Sequence, residues 1–370
     1  MCYMKIEHER YSVEFETPEV YVDNQARKRS GHMTHALAEF EPNCFIDFNS
    51  NCSANRRGGH SAYGWVEYRI SRDGGKTYSD IKTLPYSVES ILDGRWTVSA
   101  EKAVVCDDGS IVLFLLRNTM LTEGCCEPWL TPMYTRSTDQ GETWEEVREL
   151  TPYRGRVYDA VYRDGVIYAL EFCNKDFAGT DPEHKYRVYR SCDNGLTFEE
   201  YSVIPFDTLR RGYGSLLFDD QGRLHAYAYN EGAERYMDHA VSEDNGKNWT
   251  VVDPCYLDKA IRNPQTALFE GIYILHGRSE GAMGFAFYTS ENGYDWDEGI
   301  LLAHNPKPIG CFYSNNIALR DEQGKFLMVQ YSESYDGTDR VNVKHVKLRV
   351  KRKKTEMLSV RIVKRKSAPF

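Results

Sequence analysis

Arginine residues recur at one kind of position in the chain, just before short apolar segments that run into an acidic, glycine-bearing turn. A guanidinium group presents a planar fork of donors that matches a carboxylate or a sulfate. Loops of this type gathered in one place predict a site for an anionic ligand, although a single arginine more often forms an ordinary salt bridge. The candidates for ligand binding in these loops are Arg29, Arg95, Arg211 and Arg262. Arg278 and His60, in other loops expected on the same side, and Gln265 are further candidates.

Candidates for acid–base chemistry lie on the same segments. Glu101 and Asp159 begin two of them, and a pair of carboxyl groups around one sugar is the usual equipment for glycoside hydrolysis. The alternative is that each carboxylate binds a neighbouring arginine. His35 is a further candidate, as an acid–base group or a hydrogen-bond donor. Because His32 and His35 would face opposite sides of a strand, we expect no metal site, and we expect no cofactor.

The elements that position these residues are marked by a recurring octet of the form Ser-x-Asp-x-Gly-x-Thr-aromatic. Its aspartate can accept backbone N–H bonds, its glycine suits a positive φ, and its aromatic residue can pack between neighbouring sheets. Each copy follows a short alternating segment and therefore predicts a hairpin turn after a strand. The copies are at 71–78, 137–144, 191–198, 242–249 and, in a weaker form, 289–296.

The octet resembles the Asp-box, or bacterial neuraminidase repeat, of the sialidase superfamily, whose members are six-bladed β-propellers. Six apolar segments agree with that number, and we expect each to be the innermost strand of a blade. They are His35–Phe40, Glu101–Gly109, Asp159–Gly165, Ser215–Gly222, Gln265–Gly271 and Ser314–Gly324. The fold class is therefore predicted to be all-β, with one sialidase-like propeller over residues 1–350, a ring closed by Tyr11–Val22, and a basic extension at 351–370.

The last two predicted blades resemble the family more closely. Sialidases typically place an arginine before a late Asp-box and a strand reading Tyr-Ser-x-x-x-x-Leu after it. Here Arg278 precedes the octet at 289–296, and Tyr313 begins a matching segment that ends at Leu319. The resemblance implies that Tyr313 is a nucleophile and that Arg278 is one of three arginines that bind the substrate carboxylate. A phenol suits such a substrate, because the carboxylate on the anomeric carbon would repel a carboxylate nucleophile.

Other family positions hold different residues in this chain. The N-terminal Arg-Ile-Pro motif is replaced by residues 31–35. The glutamate that would activate the tyrosine falls near Tyr213, and the partner arginine of the next strand falls near Tyr229. The acid–base aspartate of the first blade has no counterpart between residues 49 and 65, where His60 is the remaining candidate. The sequence therefore predicts the family's fold with a changed catalytic set.

Composition limits the partners and the compartment. The chain has 370 residues and a net charge of −9, with 11 Lys or Arg and one Glu in residues 344–370 (+10) and hence −19 in the rest. An acidic body repels nucleic acid, so we expect no such partner. The chain has no long apolar stretch, its start lacks the apolar core of a secretory signal, and its ten cysteines show no C-x-x-C pair. We expect no membrane association and a cytoplasmic location, unless the chain is an already processed secreted form.

Three functions remain open at this point. The first is a glycoside hydrolase of the sialidase-like class that removes a terminal acidic sugar, with sialic acid preferred to a uronic or sulfated sugar. The second is a propeller that binds glycans without cleaving them. The third is a polysaccharide lyase in which Tyr313 or a histidine removes the proton α to a uronate carboxylate. We prefer them in that order. All three remain open because a fold alone does not fix an activity.

Overall fold

The computed structural model describes residues 2–31, 36–53, 64–120, 130–173 and 184–353. These residues form six antiparallel sheets. The innermost strand of each sheet contacts the innermost strand of the next, and the sixth contacts the first. Six sheets closed in a ring around an axis are a six-bladed β-propeller, which confirms the predicted fold class.

The strands follow one another blade by blade. Three N-terminal strands come first: β1 (Cys2–Glu7), β2 (Tyr11–Glu16) and β3 (Glu19–Val22). Blade one consists of β4 (Arg29–Ser30), β5 (Leu37–Glu41), β6 (Cys44–Ser53), β7 (Gly64–Ser71) and β8 (Lys82–Thr83). A short α-helix, α1 (Pro85–Leu92), leads into blade two. Blade two consists of β9 (Trp96–Val105), β10 (Ile111–Thr119), β11 (Met133–Ser137) and β12 (Arg148–Glu149).

Blades three to six continue the same antiparallel order. Blade three consists of β13 (Arg156–Arg163), β14 (Val166–Cys173), β15 (Lys185–Ser191) and β16 (Glu199–Ile204). Blade four consists of β17 (Arg211–Phe218), β18 (Leu224–Asn230), β19 (Tyr236–Ser242) and β20 (Thr250–Tyr256). Blade five consists of β21 (Arg262–Phe269), β22 (Ile272–Ser279), β23 (Gly284–Ser290) and β24 (Ile300–His304), with a short 3-10 helix at Glu280–Ala282. Blade six contains β25 (Ser314–Asp321), β26 (Gly324–Ser334) and β27 (Val341–Arg352).

Residues from both ends of the sequence complete blade six. β2 pairs antiparallel with β27 and places Phe15 opposite Leu348. β3 pairs with the first part of the same strand, and β1 pairs with β2. Phe15 also packs on Phe287 of blade five, with ring centroids 5.0 Å apart. The segment predicted to close the ring, 11–22, therefore does so.

The first four octets form hairpin turns with the same hydrogen bonds. The carboxylate of Asp73 accepts the backbone N–H of Thr77 at 2.9 Å and its hydroxyl at 2.6 Å, and the hydroxyl oxygen of Ser71 accepts the N–H of Gly75 at 2.9 Å. Equivalent bonds recur in the octets at 137–144, 191–198 and 242–249. Because the turn satisfies its own donors, it holds its shape without a ligand.

The fifth octet is shifted by one residue from its predicted register. Asn292 rather than Glu291 accepts the N–H groups of the turn, and Ser290 supplies the hydroxyl. Thr289, the predicted first residue, lies before the turn. An amide oxygen accepts the same bonds as a carboxylate oxygen, so this turn keeps its shape with asparagine.

The aromatic residues of the octets pack between blades, as predicted. Trp144 of blade two lies 5.8 Å from Phe48 of blade one, centroid to centroid, and donates its indole N–H to the hydroxyl of Tyr68 at 3.1 Å. Phe198 of blade three packs on Tyr134 of blade two with centroids 4.8 Å apart. The octets thus stabilise the contacts between neighbouring blades.

Several innermost strands begin earlier than predicted. Arg211 and Arg262, expected in the loops before the strands, are the first residues of β17 and β21, and β13 likewise begins at an arginine, Arg156. β27 extends to Arg352, past the predicted propeller boundary, and residues 354–370 of the basic extension lie outside the described residues. In the described ranges, no helix combines the length and the apolar character needed to cross a membrane.

Candidate functional site

The axis of the propeller is lined by residues that interrupt the regular pairing of the innermost strands. Glu101 is skipped in the register of β9 with β10, and Tyr158, Tyr213 and Asn263 are skipped at the matching places of β13, β17 and β21. A skipped residue of this kind is a β-bulge, which takes one side chain out of the alternation of the strand. Tyr313, immediately before β25, completes the set. These five residues are called the axial ring below.

The tyrosines of the axial ring contact one another across three blades. The ring centroids of Tyr158 and Tyr213 are 4.8 Å apart. Those of Tyr213 and Tyr313 are 6.4 Å apart, and their hydroxyl oxygens are 3.4 Å apart, within hydrogen-bond distance. Tyr213 has a φ of 26° and Phe312, which precedes Tyr313, has a φ of 65°. Backbone strain therefore accompanies the approach of the two hydroxyl groups.

Glu101, predicted as a catalytic carboxylate, is bound by an arginine. Arg156 donates from Nε and Nη2 to the two carboxylate oxygens at 2.7 and 2.9 Å, and both side chains are fully buried. The same guanidinium lies 5.1 Å from the ring centroid of Tyr158 and 5.2 Å from that of Tyr213. For Glu101 the structure therefore shows the alternative that the sequence left open, an ion pair with a nearby arginine.

Arg278 is buried beside Tyr313 without such a partner. Its Nε donates to the carbonyl oxygen of Cys311 at 2.8 Å, and its guanidinium lies 4.5 Å from the ring centroid of Tyr313. Its Nη2 is buried and has no hydrogen-bond partner among the described residues. Burial alone lowers the pKa of Arg278, but the neighbouring Tyr313 and Tyr213 raise it above the ordinary value, so the group stays positively charged.

The other phenols of the site keep their protons at neutral pH. Burial raises the pKa of Tyr158 and Tyr213 above the value of a free phenol, although nearby arginines act in the opposite direction.

Arg262 lies 5.3 Å from the ring centroid of Tyr229, whose hydroxyl donates to Glu234 at 2.6 Å. The protein thus places three arginines, 156, 262 and 278, over tyrosine rings around the axis.

A polar plug follows the axial ring, made by neighbouring residues of the same strands. Lys102 Nζ lies 2.8 Å from Asp159 Oδ1, 2.9 Å from Asn315 Oδ1 and 3.4 Å from Gln265 Oε1. The second oxygen of Asp159 accepts the hydroxyl of Ser215 at 2.7 Å and a backbone N–H at 2.9 Å. Asp159 and Gln265, predicted for catalysis and binding, are therefore brought together with Lys102 in this plug, and Asp159 does not pair with Glu101.

Three other arginines predicted to bind the ligand form ion pairs with carboxylates. The pairs are Arg29 with Glu67, Arg95 with Asp93, and Arg211 with Asp238. Arg29 binds both carboxylate oxygens, at 2.8 and 2.7 Å. These are the salt bridges that the sequence left open as alternatives, so the case for an anion site rests chiefly on Arg278.

The remaining predictions concern two histidines and the possibility of a metal. His35 and His60 lie outside the described residues, so their roles stay predictions. In the part of the chain that the structure describes, no group of three or more His, Cys, Asp or Glu side chains is placed to hold a metal ion.

Sequence reasoning missed several members of the site, among them Tyr158, Lys102, Asn263 and Asn315. Lys102 gave a usable signal, because a lysine directly after Glu101 in an otherwise apolar strand needs a buried acceptor. Tyr158 gave none, since it is one of 26 tyrosines and is distinguished only by the bulge.

Comparisons with known proteins identify the fold. No protein family matches the chain by its sequence profile, and no curated protein matches its sequence. A protein of unknown function from Dyadobacter fermentans superposes with a TM-score of 0.72 at 15% identity, over 92% of this chain and 99% of that one. A Hadza microbial sialidase gives 0.66 at 13% identity, over 89% and 68%. The NanB sialidase from Streptococcus pneumoniae gives 0.62 at 11% identity, over 90% and 70%.

At these identities the similarity establishes the architecture alone. The chain has the six-bladed β-propeller fold that is also found in sialidases, in agreement with the resemblance drawn from the octets. What the axial residues do has to be argued from their own chemistry.

Proposed function

We propose that the protein is a glycoside hydrolase of the sialidase-like class that removes a terminal acidic sugar from an oligosaccharide or glycoside. The observation that carries this proposal is Arg278, a buried cation whose Nη2 has no acceptor among the described residues and whose guanidinium lies over Tyr313. A buried charge without a counter-ion is unfavourable, and the carboxylate of a ligand supplies both an anion and an acceptor.

Tyr313 is the nucleophile in this proposal. Its ring is in contact with the guanidinium of Arg278, so a carboxylate bound by that arginine lies close to the phenol oxygen. If the carboxylate is attached to the anomeric carbon of the sugar, the same contact brings that carbon to Tyr313. The phenol oxygen then forms a covalent glycosyl intermediate, which water hydrolyses with overall retention of configuration.

The position of the carboxylate favours sialic acid among acidic sugars. In sialic acid the carboxylate is bonded directly to the anomeric carbon, whereas in a uronic acid it is on the opposite side of the ring oxygen. The Hadza protein and the Streptococcus pneumoniae protein that share the fold are both named sialidases, which supports the same choice.

The test is a panel of 4-methylumbelliferyl glycosides of sialic, glucuronic and neutral sugars, assayed with the full chain. We expect release from the sialoside and little or none from the neutral sugars. When the variant Arg278→Ala is assayed on the same panel, Arg190→Gln is its matched control, because Arg190 pairs with Glu199 on an outer strand. A preference for neutral sugars contradicts the proposal, as does the absence of turnover on every acidic glycoside.

A second candidate is a propeller that binds acidic glycans without cleaving them. It is supported by Glu101, whose two oxygens are held by Arg156, which leaves that carboxylate poorly suited to proton transfer. Titration calorimetry with intact sialosides and uronates separates the two candidates: binding without any product over days supports the second. A new ultraviolet absorbance from a C=C bond indicates a lyase instead.

A further inference from the structure

The contact between Tyr213 and Tyr313 carries an inference that rests on the proposed function and extends it. We propose that Tyr213 donates its hydroxyl hydrogen to Tyr313 Oη and stabilises the phenolate form of Tyr313, which is the nucleophilic form. Tyr213 is then a positioning residue that acts through Tyr313 and does not itself react.

The geometry supports this pairing. The two hydroxyl oxygens are 3.4 Å apart, a separation that can shorten when a negative charge develops on one of them. Tyr213 reaches the axis because it is the bulged residue of β17, at a φ of 26°. A bulky residue at such a φ is costly, and strain of this kind is retained where a site needs it.

The charges around the two phenols decide which of them donates. Arg156, whose guanidinium lies 5.2 Å from the ring centroid of Tyr213, has its charge balanced by the carboxylate of Glu101. Arg278, which lies over Tyr313, makes no ion pair with a carboxylate among the described residues. Arg278 acts on both phenols, but its pKa is raised more by Tyr313 than by Tyr213, so a negative charge is better stabilised on Tyr313. Burial also raises the pKa of Tyr213, which keeps its hydrogen available for donation.

The groups that act on Tyr313 come from several elements. Among the described residues they include Arg278 on β22, Tyr213 on β17, Arg156 and Tyr158 on β13, and Glu101 on β9 through its ion pair with Arg156. Arg262 on β21 acts on Tyr213. Cys311, two residues away on the same segment, has a pKa raised by burial to about 12 and stays a neutral thiol. The cations in this set are Arg278, Arg156 and Arg262, and the charge of Arg156 is balanced by Glu101.

The reaction balances with water as the only other reactant. The Tyr313 proton passes to water before the attack. The phenolate oxygen then forms a bond to the anomeric carbon while the glycosidic C–O bond breaks, and the electron pair goes to the leaving oxygen, which takes a proton from water. In the second half, a water oxygen bonds to the anomeric carbon, its proton is lost to solvent, and the electron pair of the tyrosyl–sugar bond returns to Tyr313.

The decisive experiment measures the ionisation of Tyr313 directly. The full chain is labelled with tyrosine carrying ¹³C at Cζ, the Tyr313 signal is assigned by its loss in Tyr313→Phe, and its chemical shift is followed from pH 6 to 11. We expect Tyr213→Phe to raise the pKa of Tyr313 by about one unit, a tenfold change in its ionisation constant. Tyr158→Phe is the matched control, since it removes a hydroxyl from the same cluster without removing the donor, and should move that pKa by less than about a third of a unit.

The activity profile gives a second readout. Hydrolysis of an aryl sialoside should increase with pH up to the pKa of Tyr313, and Tyr213→Phe should move that rise to higher pH by the same unit. The proposal is overturned if the Tyr313 titration is the same in the native chain and in Tyr213→Phe, or if Tyr213 is the first of the two to ionise. The titration needs no substrate, so it decides this inference even if no glycoside is cleaved, and turnover with an unchanged titration leaves the proposed function intact.

Discussion

Arg156 and Glu101 form a two-point ion pair that is fully buried at the axis and joins blade two to blade three. The aromatic rings of Tyr158 and Tyr213 lie beside the guanidinium. The ion pair therefore supports Tyr213, which contacts Tyr313. Removing one member of such a pair leaves a buried charge without a counter-ion, whereas removing both does not.

Glu101→Gln should therefore destabilise the propeller. We expect the free energy of unfolding in urea to fall by about 3 to 5 kcal/mol, because Arg156 remains buried without a counter-ion. The double variant Glu101→Gln with Arg156→Met should recover at least half of the loss. A Glu101→Gln protein with native stability and no activity contradicts this expectation and returns Glu101 to the catalytic role predicted from the sequence.

Tyr313→Phe should abolish turnover while the fold is kept. The substitution removes one hydroxyl and leaves the ring on which Arg278 packs, so the melting temperature should change little. We expect kcat on an aryl sialoside to fall at least about a thousandfold, as for the loss of a covalent nucleophile. Tyr331→Phe is the control, a buried phenol of the same blade that binds Glu333. Near-native activity of Tyr313→Phe excludes the tyrosine nucleophile and favours an inverting mechanism.

Arg278→Ala should weaken the binding of acidic substrates selectively. The loss of a charge-assisted, forked contact with a carboxylate predicts a KM for the sialoside that is about 10 to 100 times higher. Arg278→Lys keeps the charge but not the fork, and an intermediate KM is expected. Circular dichroism checks that both variants are folded. Equal losses on acidic and neutral glycosides contradict a carboxylate-binding role for Arg278.

Three fully buried histidines should make the propeller sensitive to mild acid. Burial lowers the pKa of His225, and it lowers the pKa of His239 and His276 to about 3. Below an unfolded-state pKa of about 6.5 the unfolded chain binds protons that the folded chain does not. His239 and His276 should then each reduce the free energy of unfolding by about 1.4 kcal/mol per pH unit between pH 6 and 5, and His225 acts in the same direction.

Denaturation in urea at pH 7.5, 6 and 5 checks this expectation, and His276→Gln isolates one contribution. The variant should show a shallower loss of stability, by about 1.4 kcal/mol per pH unit. The comparison between variants is needed because Asp47, whose pKa is raised by burial, acts in the opposite direction. Identical pH slopes for the native chain and His276→Gln contradict the assignment of a neutral buried His276.

The architecture could be predicted from the sequence because it is encoded locally. Each octet contains the donors and acceptors that close its own turn, such as Asp73 with Thr77, and each recurs after an alternating strand. The weaker fifth copy shows the limit of this approach. Its neighbouring Glu291 and Asn292 can both accept hydrogen bonds, and only the backbone geometry selects Asn292.

The site could be predicted only in part, because its members depend on bulges. Glu101 and Asp159 were predicted as an equivalent pair, but Glu101 occupies the bulge of its strand and Asp159 follows the bulge of the next. In the structure Glu101 therefore corresponds to Tyr158, and Asp159 corresponds to Lys102. A shift of one residue along a strand exchanges the two faces, and a side-chain pattern without the register does not reveal it. Arg278 and Tyr313 were predicted by resemblance, and the structure places them in contact.

The construction of blade six has a consequence for synthesis on the ribosome. Glu16 at the end of β2 is bonded to Arg349 of β27, which is 333 residues later in the chain. During translation β2 emerges before blades one to five, yet its partner strand β27 is made after those five blades. The nascent protein therefore carries an unpaired strand edge for most of its synthesis, a condition that favours premature association between chains.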